Sequence, residues 1–171
     1  VQTPLTSDFD VITTYLDDLR VEDMPRGGTA IGRALVEALR ALVPPETLEG
    51  TLAETATEAS EADRDMTFDG AKHKAILLLT DGEGHEGDPL AVAEVAAKLG
   101  IRIYTVGVGT AQGRPVPIIN DEGQVMGTMK AADGKTPMFS ELNEGLLRDI
   151  ADRTGGGYFN LGPTGELTGL A

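Results

Sequence analysis

A chain of 171 residues with 28 acidic and 14 basic side chains carries a formal charge of −14, which argues against nucleic acid or anionic membrane as a partner and favours cations or basic surfaces. The absence of cysteine excludes a disulfide framework, a thiolate metal site and a thiol nucleophile. With aromatic residues at 4%, the core must be built from Leu, Ile, Val and Ala, and this length suits one such core. The longest apolar run, Ala75 to Leu79, is far too short to cross a bilayer. Val1 opens the chain without a basic n-region or an apolar h-region, so no targeting signal is visible, and the missing initiator Met suggests a piece of something longer.

The first helical pattern places Phe9, Ile12, Leu16 and Leu19 on one stripe. Ser7 or Asp8 is positioned to cap it and Met24-Pro25 to close it. After the loop Arg26-Gly27-Gly28, Thr29 starts a second helix with Ile31, Leu35, Leu39 and Leu42 on one stripe, stopped at Pro44-Pro45. Residues 74–80 form a continuous apolar run without alternation, which predicts a strand covered on both faces. Asp88-Pro89 reads as an N-cap with Pro at N1, opening an Ala-rich helix that ends at Leu99-Gly100. Ile101 to Val108 is a second strand. Asn143 to Thr154 is a helix burying Leu146, Leu147, Ile150 and Ala151, released by Gly155-Gly156-Gly157, and Tyr158 to Leu161 is a short last strand. Alternating helices and strands predict a doubly wound α/β domain with a mostly parallel sheet flanked by helices.

Two segments break that rhythm. Residues 44–70 hold eight acids against one base, Arg64, a local charge of −7. They read as a solvated, partly helical or mobile acidic insertion, with a basic partner as the sharper alternative. Residues 114–142 contain short apolar runs separated by Asp121-Glu122-Gly123 and Ala132-Asp133-Gly134, which predicts a small antiparallel β meander packed on the sheet edge near the last helix.

Ligands of open α/β sheets bind beyond the carboxyl ends of the strands. Thr80-Asp81-Gly82-Glu83, Gly107-Val-Gly-Thr110 and the helix start at Gly27-Gly-Thr29 should converge there. Thr29 and Asp81 then make half of an oxygen-only site for a hard divalent cation. Each has a plainer role open to it, Thr29 as an N-cap and Asp81 as a turn residue. Glu83, Glu86 and Asp88 read as exposed loop acids, and His73 and His85 lack a partner at zinc spacing. Gly107-Val-Gly109 with Gly113 is not a dinucleotide loop, because Arg114-Pro115 stands where a helix should start. Asp81 to Val92 is not an EF-hand, since Glu86 replaces the required Gly. There is no Gly-x-Ser-x-Gly, no Walker lysine after Gly28, and no nucleophile, base and orienter together, so catalysis is not expected.

Pro4-Leu-Thr-Ser-Asp8, Gly27-Gly-Thr-Ala-Ile-Gly32, Ile76-Leu-Leu-Leu-Thr-Asp-Gly82 and Ile103-Tyr-Thr-Val-Gly-Val-Gly109, in that order, resemble a von Willebrand factor type A (VWA) domain. Gly84-His-Glu-Gly-Asp-Pro89, the meander 114–142 and Leu146-Leu-Arg-Asp-Ile-Ala-Asp-Arg-Thr-Gly-Gly156 are similar to bacterial aerotolerance (Bat) proteins. The likeness spans nearly all of residues 1–171, as a single partial domain, and omits the stretch 44–70. It implies Mg²⁺ or Mn²⁺ at a metal-ion-dependent adhesion site, with Thr29 and Asp81 as ligands. The family's Asp-x-Ser-x-Ser loop is absent, so the resemblance implies that strands before residue 1 are missing. It further implies a hydrophobic groove left by them, and metal binding that is weak or absent unless those ligands are supplied.

By the same resemblance the chain is a non-enzymatic interaction module whose protein partner offers an acidic residue to the metal. The implied setting is extracytoplasmic or periplasmic, anchored by membrane helices outside this segment, with MoxR-type ATPases and other Bat-like proteins as partners. A metal-silent truncated scaffold, acting through its sheet edge or the acidic insertion, is the alternative.

Overall fold

The computed structural model describes residues 6–18, 30–56, 73–83, 87–120, 122, 124–131, 133–162 and 165–169. Among these residues five helices and eight strands follow in chain order: α1 (Phe9–Asp18), α2 (Ile31–Leu42), α3 (Pro45–Ala56), β1 (Ala75–Thr80), α4 (Pro89–Lys98), β2 (Arg102–Val108), β3 (Arg114–Pro115), β4 (Pro117–Ile119), β5 (Val125–Thr128), β6 (Phe139–Ser140), α5 (Glu144–Thr154), β7 (Tyr158–Leu161) and β8 (Leu167–Gly169). The main sheet has the order β1-β2-β7-β8. Its first three strands are parallel, with Ile76 beside Ile103 and Thr105 beside Tyr158, and β8 closes the far side antiparallel to β7. Residues 114–140 form the two small antiparallel pairs β3–β6 and β4–β5, as their turn residues predict.

Local chemistry accounts for the helix ends. Asp88 is the N-cap of α4, its Oδ1 accepting from the amides of Leu90 at 3.0 Å and Ala91 at 3.1 Å, with Pro89 at the first helical position. Asn143 caps α5 through the Leu146 amide at 3.2 Å. Gly155 ends α5 in the left-handed region at φ 66°, where a side chain would be strained. The neighbouring Gly156 has a different reason to be glycine: an added Cβ would stand 1.9 Å from the Ile103 carbonyl oxygen, so the chain can pass β2 only without a side chain.

The core lies between one face of the sheet and helices α2, α3, α4 and α5. Ile31, Leu35 and Leu39 of α2 meet Val92, Val95 and Ala96 of α4, with Ile76, Ile103 and Ile150 beneath them. Leu48, within the acidic stretch, is buried in the same cluster, so residues 45–56 of that stretch are a packed helix. Two buried hydroxyls join α5 to β2. Thr105 Oγ1 donates to the Leu147 carbonyl at 2.9 Å, and Thr154 Oγ1 accepts from the Ile103 amide at 3.0 Å. A smaller cluster of Leu142, Leu147, Ala151 and Tyr158 sits below the carboxyl ends of the strands, with the Arg148 guanidinium 4.4 Å from the Tyr158 ring centroid.

The expectation that the strand 74–80 is covered on both faces is corrected. Ile76 is buried, yet Leu77 and Leu79 on the opposite face are 62% and 58% exposed. The reason is that α2 to α5 all pack on the Ile76 side, while α1 buries none of its residues. Its apolar stripe stays open as well, with Phe9 77% exposed. Within the described residues β1 is an edge strand with an open apolar face.

Candidate functional site

The carboxyl ends of β1 and β2 gather three loops. Asp81 follows the last residue of β1 and is half-buried. Its Oδ1 accepts from the Glu83 amide at 3.1 Å, and Thr80 Oγ1 lies 3.5 Å from the same oxygen. Thr80 Oγ1 in turn accepts from the Gly82 amide at 3.1 Å. Gly82 makes the turn at φ 78°, packed so closely on the next segment that a Cβ would come within 2.9 Å of the Asn143 carbonyl oxygen. The loop is therefore built by a strand end, a short polar turn and one glycine, all of them local features.

The second contributor arrives from the far end of the meander. Ser140 Oγ donates to Asp81 Oδ2 at 3.2 Å, the Glu141 amide donates to Glu83 Oε1 at 3.0 Å, and the Asn143 amide donates to the Asp81 carbonyl at 2.8 Å. The Leu142 amide completes the seam by donating to the Thr110 carbonyl at 3.2 Å, after β2. The 114–142 segment thus docks on the strand ends immediately before α5. Beside the seam, Glu83, Glu141, Asn143 and Glu144 line an open cleft of about 550 Å³ together with Ala111, Leu142 and Gly145. Glu144 is engaged by Arg148 at 3.0 Å.

Of the two predicted metal ligands, Asp81 stands at the strand end, and Thr29 lies outside the described residues, as do Gly27, Gly28, His85 and Glu86. The helix that Thr29 precedes is seen to begin at this end of the sheet. A Cβ on Gly32 would meet the Asp88 amide nitrogen at 3.4 Å, so the first turn of α2 lies against the start of α4. The N-cap of α2 is Ala30, without a side-chain cap. Asp88 is spent on capping α4. Ser140 appears in the sequence only as one of three serines with no nucleophile context. No local signal links it to Asp81, 59 residues earlier.

The ligand on offer here is the Asp81 carboxylate, with the hydroxyls of Thr80 and Ser140 hydrogen-bonded to it. Its oxygens fit a hard cation such as Mg²⁺ or Mn²⁺ in kind. They supply only part of an octahedral shell, and the described residues hold no group of three or more His, Cys, Asp or Glu able to bind a metal. A cation there would need retained waters and residues outside this set for the remainder.

A model of the von Willebrand factor type A domain family matches residues 2–153. The chain belongs to that family. Two solved structures are similar to it throughout. An aerotolerance-related membrane protein from Bacteroides fragilis NCTC 9343, studied with multiple mutations to serine, is 28% identical with a TM-score of 0.70; the match covers 96% of this chain and 67% of that one. BatB from Bacteroides thetaiotaomicron is 29% identical with a TM-score of 0.68, covering 93% of this chain and 63% of that one. This VWA chain therefore spans about two thirds of the length of its Bat-like neighbours. A comparison with curated proteins gives no match. VWA domains are in general interaction modules, and the family match with its Bat-like neighbours supports a protein-interaction module here. Among the described residues no helix is long and apolar enough to cross a membrane.

Proposed function

We propose that this VWA chain is a non-enzymatic protein-interaction module that engages its partner around Asp81, through a divalent cation. The observation that supports this most directly is the half-buried Asp81 carboxylate at the end of a parallel strand, surrounded by hydroxyl and backbone donors. Asp81, with Thr29, is the residue to hold Mg²⁺ or Mn²⁺. A bound ion with an open position supplies an electrophilic anchor for a carboxylate of the partner. The partner is then a protein offering Asp or Glu. A MoxR-type ATPase and other Bat-like proteins are the proposed assembly, and the proposed setting is the extracytoplasmic face of a membrane, with the anchoring helices outside this segment.

The test is Mn²⁺ titration of the chain with and without Asp81→Ala, followed by binding of a carboxylate-bearing partner in cation or in EDTA. Binding that needs the cation and falls at least tenfold in Asp81→Ala is the expected result. A second reading is a metal-silent scaffold acting through the open face of β1, and the exposure of Leu77 and Leu79 favours it. That reading expects partner binding unchanged by EDTA and no shift of melting temperature with Mg²⁺.

A further inference from the structure

A carboxylate that takes a ligand must present the free lone pairs of its oxygens in one fixed direction, and the terminal torsion of Asp is broad, so the plane has to be set by hydrogen bonds. At Asp81 the two oxygens are held from different places. Oδ1 is held by the residue's own loop, through the Glu83 amide at 3.1 Å. Among the described residues Oδ2 has one donor, the Ser140 hydroxyl at 3.2 Å, delivered from 59 residues away.

The hydroxyl comes on a braced support. Ser140 pairs with Arg114 across the β3–β6 ladder, and the Val116 amide donates to the Met138 carbonyl at 2.9 Å. On the other side the next three residues are each tied to a strand-end loop, by Glu141 to Glu83, Leu142 to Thr110 and Asn143 to Asp81. Four residues further on, α5 is anchored by the fully buried Leu147. A side chain supported at both ends in this way can fix the plane of its acceptor. A serine on a mobile loop tip cannot.

We infer that Ser140 is a positioning residue for Asp81, setting the orientation in which the carboxylate meets its ligand, and that the 114–142 segment is thereby a working part of the interaction site. This role rests on the cation reading given above. Residues that hydrogen-bond a metal's own ligands typically change metal affinity 10–100-fold when removed. Coupling of this kind is reciprocal: a cation on Asp81 must tighten the 114–142 ladder by the factor that the docked ladder contributes to cation affinity.

The experiment measures Mn²⁺ affinity, and amide hydrogen exchange with and without saturating Mn²⁺, on the 171-residue chain as wild type, Ser140→Ala and Ser140→Thr. Ser140→Ala is expected to weaken Mn²⁺ about 10–100-fold, and Ser140→Thr, which keeps the hydroxyl, to restore most of that loss. Mn²⁺ is expected to slow exchange at the Val116 and Met138 amides in the wild type and to leave them unchanged in Ser140→Ala. Equal affinity of wild type and Ser140→Ala overturns the positioning role and leaves the cation reading intact. A loss in Ser140→Ala that threonine does not restore overturns it too, since it assigns the effect to packing. Failure of the wild type to bind Mn²⁺ overturns the cation reading itself, and the role built on it.

Discussion

The two faces of the main sheet are made by the same strands and differ only in what covers them. On one face Ile76, Ile103 and Thr105 are buried under α4 and α5; one residue along β1, Leu77 and Leu79 stand in solvent. Side chains alternate along a strand, so a single position separates a core residue from a surface one. Along β1, burial is set by the helix layer, and hydrophobicity of the side chain is no guide to it. The open face is instead a surface available for contact.

The largest expected effect comes from removing a side chain on the covered face. Leu147 is fully buried between α5 and β2. Leu147→Ala is expected to cost about 2–5 kcal/mol by chemical denaturation, the range for cavities in well-packed cores. The same truncation on the open face, Leu77→Ala, is expected to stay within about 0.5 kcal/mol, as at other exposed positions. Similar values for the two would break the comparison and mean that the open face is covered in solution.

A smaller effect probes how closely α5 is drawn down on the sheet. Because a Cβ at Gly156 would meet the Ile103 carbonyl oxygen at 1.9 Å, Gly156→Ala must push the chain off β2. About 1–3 kcal/mol is expected from overpacking, read as a lower denaturation midpoint with an unchanged slope. Gly155→Ala, by contrast, meets nothing within 4 Å and pays only for its left-handed backbone, so it should cost less than its neighbour.

The smallest effect concerns the 114–142 segment, which has little apolar cover and relies on polar turns. The Thr136 hydroxyl, and then the amides of Lys135 and Thr136, donate to Asp133 and hold its carboxyl below the ordinary 3.8. A depressed folded value means that this support is complete above the unfolded value, about pH 4, and is lost as pH falls through the folded one. The amide chemical shifts of Lys135 and Thr136 should therefore hold steady from about pH 6 to about pH 4 and move below it, while those of Leu147 and Ile150 do not. Asp133→Asn should flatten that profile.

Much of the fold was legible residue by residue. The caps at Asp88 and Asn143, the glycine release after Thr154, the apolar stripe of α2 and the turn residues of the 114–142 segment each act within a few positions of the chain. All form the elements their chemistry predicts. Asp81 was legible for the same reason, as a carboxylate on the turn that leaves an apolar strand. Leu48 was hidden by its neighbours: acids dominate residues 44–70, and one buried leucine on a polar helix leaves a weak pattern.

By itself, then, the sequence determined what nearest neighbours determine, namely the helices, strands, caps and turns, and the order of motifs that places the chain in the VWA family. Only the tertiary structure decided which face of β1 is covered, because an apolar run such as Ala75 to Leu79 carries no alternation from which to read it. It also decided that Ser140 meets Asp81. The two lie 59 residues apart, one on the turn after β1 and one in β6, so no local signal could join them.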